Sequence, residues 1–121
     1  MKKRVLIAED EDLITSTIVA LLNTMGLEYI AVDNGEDAIK EFKSKKFDLI
    51  ITDIFMPKLD GFQFIEFIRN VNKKIPIIVI SGYIDNETIR KIKNIGADEY
   101  IEKPFSIKEV KEVIKNFIGE S

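Results

Sequence analysis

The chain of 121 residues contains no cysteine and no histidine, and it has only three prolines and six glycines. Without cysteine there is no disulfide bond and no thiol chemistry, and without histidine there is no imidazole base and little basis for a zinc site. The absence of histidine also excludes a protein that carries a phosphoryl group on its own imidazole. Any chemistry therefore depends on carboxylates, hydroxyls and amines.

Long hydrophobic runs are missing as well. After the basic start, the apolar run from Val5 to Ala8 has four residues before acids follow, whereas a secretory signal needs about 7 to 15. No segment approaches the ~20 apolar residues of a membrane helix. We therefore expect no membrane association and a cytoplasmic location.

A large excess of charge of one sign is also absent. The 18 basic and 21 acidic residues give a net charge of −3, and residues 86–121 carry seven of each kind. A surface that binds nucleic acid normally shows a clustered excess of lysine and arginine. We therefore expect no direct contact with nucleic acid.

Short β-rich segments alternate with amphipathic helical segments along the chain. The predicted strands are residues 4–9, 28–32, 47–53, 75–81 and 98–102, and the predicted helices are residues 12–25, 36–46, 62–71, 86–95 and 106–118. Three of the strands are nearly continuous apolar runs, which is typical of parallel strands covered on both faces. The pattern predicts an α/β fold: a doubly wound, flavodoxin-like sheet of five parallel strands in the order 2-1-3-4-5, with five helices. No linker or repeat interrupts it, so we expect a single domain over residues 1–121 with no output domain.

Residues at several helix ends are interpreted as caps. Asp12 is the predicted N-cap of the first helix, and Glu11 beside it is interpreted as a charge that favours the helix dipole. Ser106 with Glu109 predicts a capping box at the last helix. Asp60, which precedes a glycine, is interpreted as a turn residue.

Polar and charged side chains gather where the predicted strands end. Because parallel strands end at the same edge of a sheet, one edge should carry the following residues: Glu9, Asp10, Glu11, Asp53, Ser81 and Lys103. Two carboxylates ~4 Å apart repel by about 4 kcal/mol at an effective dielectric constant of ~20, so the bare cluster would be unstable or partly protonated. A magnesium ion would resolve the conflict, and Lys103 supplies a second positive charge. Asp53 is then a candidate nucleophile that forms an aspartyl phosphate, with Ser81 donating a hydrogen bond to a phosphoryl oxygen.

The sequence resembles the receiver domains of response regulators, the CheY-like family of two-component signalling. The resemblance spans essentially the whole chain and rests on the segments VLIAEDE, DLIITDIFMPKLDG, IIVISG and GADEYIEKPF. It implies that Asp53 is the phosphoacceptor and that Ser81 and Tyr100 form a switch. It also implies that Lys103 contacts the phosphoryl group and precedes Pro104 through a cis peptide bond.

The same resemblance implies that Mg²⁺ is the cofactor. Asp10 and Asp53 would ligate the ion directly, together with the backbone carbonyl of Phe55. Glu9, at a position where the family more often has aspartate, would act largely through water.

The resemblance further implies a phosphorylation-activated signalling switch of a two-component system or phosphorelay. The donor would be a histidine kinase or a histidine phosphotransfer protein. Ser81 would move toward the phosphoryl group and Tyr100 would turn inward, so that the face of helix four, strand five and helix five binds a downstream effector protein differently. Such a chain is not an enzyme in the usual sense, since it catalyses only its own phosphorylation and slow dephosphorylation. We expect a monomer that can dimerise on phosphorylation.

Two other interpretations remain open at this point. A dehalogenase-type phosphatase also uses an aspartate at a strand end, but it requires a second acid two residues later, where this chain has Phe55. The second alternative is a receiver-like interaction module that is never phosphorylated, which the full set of site residues disfavours.

Overall fold

The computed structural model of the chain describes residues 2–82 and 84–119. Ten elements alternate along it: β1 (Arg4–Ala8), α1 (Asp12–Thr24), β2 (Glu28–Val32), α2 (Gly35–Ser44), β3 (Leu49–Thr52), α3 (Gly61–Val71), β4 (Ile77–Ser81), α4 (Asn86–Ile95), β5 (Glu99–Glu102) and α5 (Ile107–Ile118). All strand pairs are parallel and the order in the sheet is β2-β1-β3-β4-β5. The predicted architecture is therefore confirmed.

The core has two layers, one on each face of the sheet. Apolar side chains of α1 and α5 pack on one face, and those of α2, α3 and α4 pack on the other. Every residue of β3 and β4 is buried, as is nearly all of β1. This double coverage explains the continuous apolar runs of these strands. Among the described residues, no helix is long and apolar enough to cross a membrane.

Four strands are shorter than the sequence predicts, β1 and β5 by one residue each and β3 and β4 by more. β3 ends at Thr52, so Asp53 lies just beyond the strand, and β4 begins at Ile77 because Pro76 has no N–H to donate to a neighbouring strand. The register sets Ala8 of β1 beside Thr52 of β3, and Ser81 of β4 beside Glu102 of β5. The residues that follow these positions lie at one edge of the sheet, here called the carboxyl-end edge. The edge at which the strands begin is called the amino-end edge.

The N-cap residues of α1 and α3 differ from the predicted interpretation. The N-cap position of α1 is Glu11 and not Asp12, which is the first helical residue, and the side chain of Glu11 makes no capping hydrogen bond. Asp60 is not simply a turn residue, because it forms a capping box with Gln63 at the start of α3. The predicted cap of α5 is confirmed for Ser106, whose Oγ accepts a hydrogen bond from the N–H of Glu109 at 3.0 Å.

Candidate functional site

Asp53 lies at the carboxyl-end edge with only 5% of its surface exposed. Its Oδ1 atom accepts hydrogen bonds from the N–H of Ile54 at 2.6 Å, from the N–H of Phe55 at 3.2 Å and from the hydroxyl of Ser81 at 2.7 Å. Its Oδ2 atom lies 2.8 Å from Nζ of Lys103. Two loop amides, a hydroxyl and an ammonium therefore stabilise a carboxylate that burial alone would destabilise.

The loop after β3 is held close to Asp53 by its own sequence. The N–H of Gly61 donates to the carbonyl of Ile54 at 2.8 Å. A Cβ atom on Gly61 would overlap the backbone carbonyl oxygen of Asp53, so a glycine is required at this close approach. The start of α3 thereby fixes the backbone amides that bind Asp53.

Lys103 is the cation of the site. Its Nζ lies 3.0 Å from Oε1 of Glu9, 3.1 Å from Oε2 of Glu11 and 2.8 Å from Oδ2 of Asp53. Burial lowers the pKa of Lys103, but the hydrogen bonds to Asp53, Glu9 and Glu11 outweigh burial and hold this pKa above its usual range. The side chain therefore stays an ammonium at neutral pH. The predicted cis peptide bond between Lys103 and Pro104 is confirmed.

Glu9 is buried, although it is a carboxylate beside another carboxylate. Its Oε2 accepts a hydrogen bond from the N–H of Glu11 at 3.1 Å. Burial is the main cause that raises the pKa of Glu9 to about 7, and the charge of Asp53 adds to it, while hydrogen bonds from Lys103 and from the N–H of Glu11 oppose the rise. The site thus holds more negative charge than one ammonium neutralises.

Three carboxylates can converge on a cation here. Glu9, Asp10 and Asp53 each offer one oxygen, and these oxygens lie within 4.8 Å of one another; Glu9 and Asp53 are buried and Asp10 is exposed. Carboxylate oxygens, with room for water on the exposed side, are the ligands that Mg²⁺ prefers. The residues predicted to hold the ion are therefore brought together. The role of the backbone carbonyl of Phe55 stays a prediction, as does the division into direct and water-mediated ligands.

The predicted switch residues lie where the strand order places them. Ser81 is predicted to move toward the phosphoryl group, but its hydroxyl already donates a hydrogen bond to Asp53 in this structure. Tyr100 is half-buried and packs against the core cluster beneath α3 and α4. Its inward rotation stays a prediction.

The contact between Glu11 and Lys103 was not predicted. Glu11, interpreted from the sequence as a charge at a helix start, instead binds Lys103. The signal available in the sequence is its place as a third consecutive acid after β1, directly before α1 begins. That signal cannot say toward which strand end the side chain turns.

Comparison with known proteins identifies the family. Residues 5–115 match the family described as the response regulator receiver domain. The chain belongs to this family. It is 32% identical over 123 residues to the alkaline phosphatase synthesis transcriptional regulatory protein PhoP of Bacillus subtilis, a match that covers 100% of this chain and 50% of PhoP. The receiver domain thus spans about half the length of the curated relatives that it matches.

Solved receiver domains share the fold. A CheY-like receiver domain protein from Methanospirillum hungatei is 27% identical, with a TM-score of 0.91 over 96% of this chain and 93% of that one. The receiver domain of sensor histidine kinase PA1611 from Pseudomonas aeruginosa, solved with a magnesium ion in its active-site cleft, is 24% identical. Its TM-score is 0.88 over 99% of this chain and 100% of that one. The chain is therefore a receiver domain of two-component signalling, a phosphoacceptor switch.

Proposed function

We propose that Asp53 is the residue that accepts the phosphoryl group, in a transfer that requires Mg²⁺. The placement of Asp53 supports this assignment most strongly, because a buried carboxylate is ringed by a hydroxyl, an ammonium and two further carboxylates. Structural charges are normally paired one to one, whereas this group has a surplus of acids. Such a surplus is useful where a cation and a phosphoryl group are to be bound together.

The chemistry is a displacement at phosphorus. A carboxylate oxygen of Asp53 attacks the phosphorus of a phosphohistidine, the P–N bond breaks as the new P–O bond forms, and the released imidazole takes a proton from solvent. No general base is required, because the nucleophile is already an anion. The N–H groups of Ile54 and Phe55 orient the carboxylate, and Lys103 is placed to pair with a phosphoryl oxygen.

Glu9, Asp10 and Asp53 would hold the magnesium ion. When bound, the ion supplies positive charge that offsets the repulsion between the carboxylates and the incoming phosphoryl group. The donor set of this structure fits that role, and the magnesium ion in the cleft of the Pseudomonas aeruginosa receiver domain supports it.

The phosphohistidine must lie outside these 121 residues, because they contain no histidine. We assign the donor role to a histidine kinase or a histidine phosphotransfer protein in the cytoplasm. The charge balance of the chain supports contact with proteins and not with nucleic acid. Catalysis is limited to the domain's own phosphorylation and its slow reversal.

Phosphorylation would change the shape of the face formed by α4, β5 and α5, where a partner would bind. Ser81, at the end of β4, would exchange its bond to Asp53 for one to a phosphoryl oxygen, and Tyr100 of the neighbouring strand would follow. Phosphorylation in this scheme shifts the population between two packings of that face. A downstream effector, or a second copy of the domain, would bind one packing better.

Intact mass spectrometry tests the assignment. After incubation with Mg²⁺ and acetyl phosphate, the unchanged chain should gain one phosphoryl group, and Asp53→Asn should gain none. Asp48→Asn, at the other end of β3 and exposed, is the matched control and should be phosphorylated normally.

Three results would contradict the proposal. An adduct that persists in Asp53→Asn would place the phosphoryl group elsewhere. Turnover of a diffusible phosphate ester would indicate an enzyme. No adduct, together with no response to beryllofluoride, would indicate a module that is not phosphorylated.

A further inference from the structure

Glu11 stands at a helix-capping position, but its side chain contacts Lys103 and does not cap the helix. It occupies the N-cap of α1, where a side chain usually accepts a hydrogen bond from an N–H of the first helical turn. Its side chain makes no such bond. Its Oε2 atom instead lies 3.1 Å from Nζ of Lys103, a residue 92 positions later in the chain. The Glu11 side chain therefore forms an ion pair with Lys103 and does not cap α1.

The three carboxylates that lie beside the ammonium of Lys103 in the described residues are not equivalent. Glu9 and Asp53 are buried and belong, with Asp10, to the group of oxygens that can hold a cation. Glu11 is outside this group, and 59% of its side chain is exposed. A divalent ion among the buried oxygens would compete with the ammonium for them and repel it. With the oxygens of Glu9 and Asp53 bound to the ion, Glu11 would still be able to pair with Lys103.

We propose that Glu11 is a positioning residue that keeps the ammonium of Lys103 at the rim of the site when Mg²⁺ takes the oxygens of Glu9 and Asp53. The inference rests on the proposed function, since it requires that the cluster binds Mg²⁺. Its consequence is that cation and ammonium can occupy the site together. The amine is thereby already beside Asp53 when the phosphoryl group arrives.

The proposal predicts that Glu11 affects Mg²⁺ affinity through Lys103. In the unchanged chain, the ammonium that leaves the buried oxygens keeps an ion pair with Glu11. In Glu11→Gln the displaced ammonium keeps no ion pair, although without Mg²⁺ it still pairs with Glu9 and Asp53. Displacing the ammonium is therefore harder in the variant. Because Glu11 is largely exposed although Lys103 is not, we expect isothermal titration to show Mg²⁺ affinity reduced about two- to five-fold beyond the effect of lost charge alone.

Two further variants separate this effect from simple electrostatics. Asp12→Asn removes the same charge one residue away. The side chain of Asp12 is exposed and is not one of the carboxylates that pair with Lys103 in the described part of the chain. Lys103→Met removes the group through which Glu11 is proposed to act. In the Lys103→Met background, Glu11→Gln should therefore lower Mg²⁺ affinity no more than Asp12→Asn does. Thermal unfolding without Mg²⁺ checks that each variant is folded.

The outcomes distinguish this inference from the proposed function. If Glu11→Gln and Asp12→Asn have equal effects in the unchanged chain, the positioning role is wrong and the metal site stands. The same conclusion follows if the extra loss persists undiminished alongside Lys103→Met. If the unchanged chain binds no Mg²⁺, the proposed metal site itself is wrong, and the inference is overturned with it.

Discussion

At the amino-end edge of the sheet, two arginines each lie beside one acid: Arg4 lies 3.5 Å from Glu28, and Arg69 lies 3.0 Å from Asp98. At the carboxyl-end edge, Lys103 faces three carboxylates, two of them buried. The first arrangement is balanced and is complete without a ligand. The second has surplus negative charge in a region of low dielectric constant, where it is costly. The difference supports the proposal that the carboxyl-end edge binds a ligand, whereas the ion pairs at the amino-end edge hold elements of the fold together.

The largest effect on stability is expected from Lys103→Met in buffer without Mg²⁺. The substitution leaves Glu9 and Asp53 buried without their cation, and breaking a buried ion pair on one side costs about 3 kcal/mol. Urea unfolding should show a reduction of this order in the free energy of unfolding, and added Mg²⁺ should recover part of it. A reduction of only a few tenths of a kcal/mol would mean that the two edges do not differ as described.

Glu9→Gln should raise the free energy of unfolding, in contrast to Lys103→Met. The pKa of Glu9 is raised to about 7 in the folded chain from 4.5, so the folded state binds the proton more tightly and the ionised form opposes folding above pH 4.5. We expect the variant to exceed the unchanged chain in free energy of unfolding by about 1 to 3 kcal/mol at pH 8 without Mg²⁺. The difference should shrink as the pH falls through 7 toward 4.5. A variant that is less stable at pH 8 would show that ionised Glu9 is a favourable part of the fold.

Gly96→Ala tests how much the close packing of Arg69 against Gly96 stabilises the amino-end edge. Gly96 ends α4 with φ of +118°, and a Cβ atom there would lie 2.6 Å from Cγ of Arg69. The guanidinium of Arg69 binds the carbonyl of Gly96 and the carboxylate of Asp98, which in turn accepts the N–H of Ile77. The clamp joins α3 to the starts of β4 and β5, so its loss should cost about 1 to 2 kcal/mol of unfolding free energy.

Gly82→Ala is the control for that substitution. Apart from its chain neighbours, no atom of the described residues lies within 4 Å of a Cβ atom at Gly82. The free energy of unfolding should therefore change by about 0.5 kcal/mol or less in this variant. If both variants lost the same free energy of unfolding, the contact with Arg69 would not be the reason for a glycine at position 96.

The smallest effect is expected from Arg4→Met. The pair with Glu28 is long and exposed, with 36% and 48% of the two side chains open to solvent, and such pairs contribute about 0 to 1 kcal/mol. Urea unfolding should therefore barely distinguish the variant from the unchanged chain. A loss comparable to that of Lys103→Met would remove the contrast between the two edges.

Periodicity and the direction of parallel strands were sufficient to predict the sheet order and the group of residues at its carboxyl-end edge. These features depend on apolar patterns that many residues share. The donors to Asp53 were not predictable in the same way, because two of them are loop amides whose direction depends on the close approach of Gly61. The contact between Glu11 and Lys103 joins residues far apart in the chain and depends on one side-chain rotamer. Asp60 precedes a glycine, and a turn and a helix cap have the same local sequence there.

The central claim is that surplus negative charge makes the carboxyl-end edge a magnesium site. Titrating the ¹⁵N-labelled chain with MgCl₂ and following backbone amide resonances by NMR tests it most directly. We predict saturable shifts at Asp10, Ile54 and Phe55, with Arg4 and Glu28 unchanged. Absence of saturable shifts, or shifts of equal size at both edges, would contradict the account.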